Sequence, residues 1–108
     1  MIILFDHGTP RGIAQFLSRH RVEEARARGW DRLTNGELLA AAENAGFDLL
    51  LTTDKNLSYQ QNLKNRKIAI VVLGVGRWRL IAPCADRIVR AIETAKPGTL
   101  TIVEIPYL

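Results

Sequence analysis

The chain has 108 residues, 47% of them apolar, and a net charge of +4 from 15 Lys and Arg against 11 Asp and Glu. This suits a single domain over residues 1–108 that buries its own core; no stretch approaches the ~20 apolar residues of a membrane span, and the lone Cys84 excludes an internal disulfide. Eleven of the cations are Arg, whose planar fork matches phosphate oxygens, so the charge points to a polyanion or an acidic partner as readily as to simple solubility.

Residues 1–6, Met1-Ile2-Ile3-Leu4-Phe5-Asp6, read as a buried strand ending in a carboxylate. Met1 runs directly into it, so no signal peptide is expected, and with one cysteine a reducing cytoplasm is the expected compartment. Pro10 opens a helix, with Thr9 as its cap and Ile13, Phe16 and Leu17 on one face. Residues 21–25 form a weak strand in which Val22 is nearly the only apolar residue, and Gly29 to Gly36 is a polar loop carrying Trp30. A helix from about Gly36 to Ala45 stops at Gly46. Residues 48–53 make the next strand, with Asp54 directly after it.

Leu57 to Lys64 reads as a short helix and Lys67 to Leu73 as a β-branched strand. Pro83 to Ala95 is a helix with the stripe Ile88, Val89 and Ile92, in which Cys84 is a small packed residue. Thr99 to Ile105 is a last strand whose polar alternation suits a sheet edge.

Strands alternating with helices argue for an α/β fold: a mostly parallel five-stranded sheet flanked by helices in three layers. In an open sheet of order 2-1-3-4-5, the first and third strands are neighbours at the switch point, which places Asp6 beside Asp54. Acids gathered there repel one another unless a divalent cation neutralises them. Glu37, opening the second helix, is the third candidate. The spacing Thr34-Asn35-Gly36-Glu37 matches a capping box as well as a ligand position, and spacing alone leaves both open.

Three segments then carry a resemblance: Asp6-His7-Gly8-Thr9-Pro10, Asn35-Gly36-Glu37-Leu38-Leu39 and Leu51-Thr52-Thr53-Asp54-Lys55-Asn56-Leu57. In order and spacing they resemble the small PIN-like family, single-domain relatives of PIN ribonuclease toxins. That family reads Asp-Glu-Asn-Leu-Pro at the first strand end, Ser-Asp-Glu-Glu-Ile or similar at the second helix, and Thr-x-Asp-Lys-Asp-Phe after the third strand. The resemblance implies a PIN-like fold and a Mg²⁺- or Mn²⁺-dependent ribonuclease, often the toxin half of a toxin–antitoxin pair. Asp6, Glu37 and Asp54 map onto its shared acids. His7 stands where the family has Glu, and Asn56 where it has the second Asp, which removes two potential anionic ligands; Asn still offers a carbonyl oxygen and neutral His can bind Mn²⁺.

Around these acids, Arg11 and Lys55 are candidate phosphate contacts. Gly74-Val75-Gly76-Arg77-Trp78-Arg79 supplies a tight loop, two more cations and a ring able to stack on a base of single-stranded RNA. Arg19, Arg21, Arg26, Arg28 and Arg32 read as a general basic face, and His20 as structural. The competing reading is a catalytically silent PIN-like module that binds RNA or a small antitoxin protein, which His7 and Asn56 favour. A phosphoacceptor receiver domain is disfavoured, since a lone Asp6 ends the first strand and no Lys ends the fifth. A homodimer through an exposed edge strand is compatible with this layout.

Overall fold

The computed structural model describes residues 1–57, 63 and 66–106. Five strands, β1 (Ile2–Phe5), β2 (Arg21–Glu24), β3 (Leu49–Thr52), β4 (Ala69–Val72) and β5 (Leu100–Ile102), form one sheet. Their order is β2-β1-β3-β4-β5 and every neighbouring pair is parallel. The assumed order holds, in a sheet that is parallel throughout, and β5 lies at an edge.

Successive strand residues point to opposite faces, and both faces are covered, which is why β1, β3 and β4 read as continuous apolar runs. On one face Ile3, Phe5, Leu49, Leu51, Ala69 and Val71 pack with Ile13, Leu17, Ile81, Ile88 and Ile92. On the other, Leu4, Leu50, Ile70 and Val72 pack with Leu38, Leu39, Ala42 and Phe47. The result is a three-layer α/β arrangement. No helix among the described residues is long and apolar enough to cross a membrane.

Helix α1 (Asn35–Asn44) carries the capping box that its spacing allowed: Thr34 Oγ1 accepts from the Glu37 amide at 3.3 Å, and Glu37 Oε1 accepts from the Thr34 amide at 2.9 Å. It ends in a Schellman motif, with Gly46 at φ +87° and the Phe47 amide reaching back to the Ala42 carbonyl at 3.0 Å. Helix α2 (Trp78–Ile81) runs through a 3₁₀ turn (Ala82–Cys84) into α3 (Ala85–Thr94). Pro83 was expected to start this helix. It sits instead inside the 3₁₀ turn, where its missing N–H costs less than within an α-helix. The stripe holds: Ile88 and Ile92 are buried and Val89 packs beside them, while Cys84 is a half-buried free thiol against the same core.

Two other expectations change. The segment after Pro10 is a 3₁₀ helix (Arg11–Phe16) with Pro10 at the cap position. Thr9 does not cap it, because its buried hydroxyl donates to the Leu51 carbonyl at 3.1 Å and so stitches this loop to β3. The helix expected over residues 57–64 lies for the most part outside the described residues.

Candidate functional site

The sheet order reverses between β1 and β3, and the loops that follow these strands meet at their C-terminal ends. Such a switch point leaves a crevice that in open α/β sheets takes ligands. Asp6 directly follows β1, its amide extending the ladder to the Leu51 carbonyl at 2.9 Å. Asp54 lies two residues beyond β3.

Thr52, the last residue of β3, is 0% exposed and stands between the two acids. Its hydroxyl donates to Asp6 Oδ2 at 2.7 Å and accepts the Asp54 amide at 3.1 Å. The other Asp6 oxygen accepts the His7 amide at 2.8 Å. Asp54 closes an Asx turn, Oδ1 accepting the Asn56 amide at 2.9 Å, while Oδ2 lies 3.5 Å from Asn35 Nδ2. Asn35 opens α1, so the helix start reaches Asp54 through an amide.

Glu37, in that same first turn, is turned back on its own cap. The Thr34 amide, and with it the Thr34 side chain, holds the Glu37 carboxyl below the usual range. The structure thus joins Asp6 to Asp54 through one hydroxyl and engages Glu37 locally. Among the described residues no three His, Cys, Asp or Glu side chains gather closely enough to hold a metal ion. The set around Thr52 is nevertheless all oxygen, the donor type of Mg²⁺ and Mn²⁺, and Mg²⁺ commonly takes only one or two carboxylates beside waters and substrate phosphate. Two carboxylates with spare lone pairs fit that pattern.

The remaining candidates sort by position. His7 contributes its amide to Asp6, and it lines a cavity of about 240 Å³ together with Asp6, Gly8, Thr9 and Arg11. Lys55 lies across Gly74: a Cβ there would stand 2.5 Å from Lys55 Cε. Asn56 serves Asp54 by its backbone. Arg77 precedes α2 at its N-cap position without a side-chain capping bond and, like Arg79, is exposed. Trp78 is 37% exposed; one side of its ring covers Gly12, where a Cβ would meet it at 2.7 Å, and it stacks with the exposed Phe16 at 6.4 Å between centroids.

Arg19, Arg21, Arg26, Arg28 and Arg32, expected as a general basic face, are all exposed, but they differ in their partners. Arg21 and Arg28 pair with Glu23 at 3.3 and 2.9 Å, and Arg28 also lies over the Trp30 and Phe47 rings. Arg26 lines the cavity beside Asp6. Sequence reasoning missed it, along with Glu24 and Thr52. Alternation from Val22 was the available signal for Glu24, which pairs in register with Phe5. His20, taken as structural, lies 3.1 Å from Glu93 on α3.

Comparison with known proteins adds no family assignment: no family model matches the chain, and neither a curated protein nor a solved structure matches it.

Proposed function

We propose that this chain is a metal-dependent ribonuclease of the PIN-like kind, acting on single-stranded RNA, with Asp6 and Asp54 as the residues that hold Mg²⁺ or Mn²⁺. One observation carries the reading: a single buried hydroxyl, that of Thr52, links the Asp6 carboxylate to the Asp54 backbone at the switch point of a parallel sheet. A fully buried hydrogen-bond donor fixes the Asp6 side chain in one orientation. When bound, a divalent cation would supply a more acidic water and charge stabilisation for the leaving oxygen. The chain's own part is to hold Asp6 and Asp54 at the same switch point, each side chain oriented by its own hydrogen bonds, and to bring phosphate to them with Arg11 and the net positive charge. Glu37 supports the site by holding the helix turn from which Asn35 meets Asp54. A toxin role, with a small antitoxin protein as partner, and pairing of two copies through the β5 edge belong to the same proposal.

The engagement of Glu37 in its cap favours a second reading, a silent PIN-like module that binds RNA or a partner without cutting. Titration with Mn²⁺ over single-stranded RNA separates the two. Cleavage that appears with metal and vanishes in Asp6→Asn and Asp54→Asn supports the enzyme. Binding without cleavage in any divalent metal supports the module and ends the nuclease proposal.

A further inference from the structure

The cavity beside Asp6 has a composition that the two-carboxylate site does not account for. It opens at the C-terminal ends of β1 and β2, has Phe5 and Asp6 on one side, and is lined by Arg11, Glu24 and Arg26. Its volume, about 240 Å³, is below the range usual for sites that enclose a whole drug-sized ligand. It suits a compact group entering from solvent. Two guanidiniums face two acids there, Asp6 and Glu24; with Asp6 given to a cation as proposed above, the remaining balance favours an anion.

The pairing inside the cavity is uneven. Arg11 Nε donates to Glu24 Oε1 at 3.0 Å, and the Arg11 side chain is 78% exposed. Arg26 makes no ion pair among the described residues. Glu24 is the last residue of β2, in register with Phe5, and by strand alternation it shares the face of Phe5 and Val22 while Glu23 turns to the other face. The two neighbouring acids are therefore divided: Glu23 is taken by Arg21 and Arg28, and Glu24 is left to Arg11.

We infer that this cavity is a phosphodiester subsite in which Arg11 and Arg26 bind the backbone phosphate of a single-stranded nucleic acid, and that Glu24 is an internal competitor that occupies Arg11 until the phosphate displaces it. The inference rests on the proposal that the chain acts on RNA, and it goes further by naming a residue pair and a built-in brake. An exposed ion pair is weak, so a phosphate offering bidentate contacts to Arg displaces it readily.

The test is fluorescence anisotropy of a short fluorescein-labelled oligouridylate with the full chain in EDTA, so that cleavage plays no part. Arg26→Ala and Arg11→Ala each weaken binding on the order of tenfold, the worth of one charge-assisted hydrogen bond, and each lowers the salt slope by about one. Lys96→Ala, an equal loss of charge at an exposed site just after the end of α3, has a smaller effect. Glu24→Gln tightens binding, and the gain disappears when Arg11 is already Ala, which shows that it acts through that side chain. The subsite is overturned if the wild type does not bind, if Arg26→Ala matches Lys96→Ala, or if Glu24→Gln weakens binding or tightens it equally in both backgrounds. Loss of this pattern with Mn²⁺-dependent cleavage intact removes the subsite alone; the pattern without cleavage keeps the subsite and removes the nuclease.

Discussion

The Thr52 hydroxyl gives its one proton to Asp6 Oδ2 at 2.7 Å, although the two residues lie 46 positions apart in the chain. Thr52→Val keeps the shape and removes the donor. It leaves the Asp6 oxygen and the Asp54 amide each without a protein partner, at an expected cost of about 1–3 kcal/mol. Urea denaturation checks the value, and Thr52→Ser restores most of it. An unchanged midpoint in Thr52→Val means that water replaces the hydroxyl without loss and that the bridge does not order the site.

Divalent cations stabilise the fold if Asp6 and Asp54 hold them. Mn²⁺ at about a hundred times its Kd adds about 2.7 kcal/mol by mass action, which appears as a rise in melting temperature. Asp6→Asn and Asp54→Asn abolish the rise while the circular dichroism spectrum keeps its shape. A rise that persists in both variants places the metal elsewhere.

Glu37 and Thr34 separate capping from chemistry. Glu37→Gln retains a side-chain oxygen for the Thr34 amide, so its melting temperature stays near that of the wild type and cleavage continues. Thr34→Ala loses the cap and costs about 0.5–2 kcal/mol. Loss of cleavage in Glu37→Gln as severe as in Asp6→Asn would return Glu37 to the set of metal ligands.

Glu43 makes stability depend on acid. Burial opposes its charge, but the Lys67 amide, the Arg66 guanidinium and the Ile68 amide together outweigh burial and hold its pKa below the ordinary 4.5. The carboxylate is therefore preferred in the folded chain. Its contribution is fully present above about pH 4.5 and is lost as pH falls through the lower folded value. Urea midpoints of the wild type and Glu43→Gln, measured from neutral pH downward, should differ most near neutrality and converge in acid. A gap that stays constant across that range would show that the Arg66 and Lys67 bonds do not depend on the charge.

The alternation of strands and helices was legible because four apolar runs are separated by recognisable helix signals, whereas the order 2-1-3-4-5 was assumed as a common one for an open parallel sheet and is what the structure has. Asp6 and Asp54 came out as neighbours from that assumed order. Thr52 was hidden, since within Leu49-Leu50-Leu51-Thr52-Thr53 it reads as one more strand residue, and only the register shows which acid it meets. The Glu37 cap was visible in its spacing, and the family resemblance drew the reading toward the metal instead. Glu24 was obscured because the strand around Val22 is nearly without other apolar residues, so the alternation that assigns its face is faint, and Arg26 lies in the turn beyond it. Helix α2 was missed because the glycines before it read as a tight loop and the next helix was expected to begin only at Pro83.

The all-parallel sheet also sets how the chain must fold. No two of its strands can join through a hairpin, so every ladder waits for a crossover to close, and the entropy of each closure is spent before any pairing is gained. β1 is made first but lies between β2 and β3, and the second of these partners begins at Leu49. Until then Ile2–Phe5 has an open flank, and an open flank on a nascent apolar strand invites intermolecular pairing. Refolding from denaturant should accordingly be slow for a chain of this size, with a yield that falls as protein concentration rises.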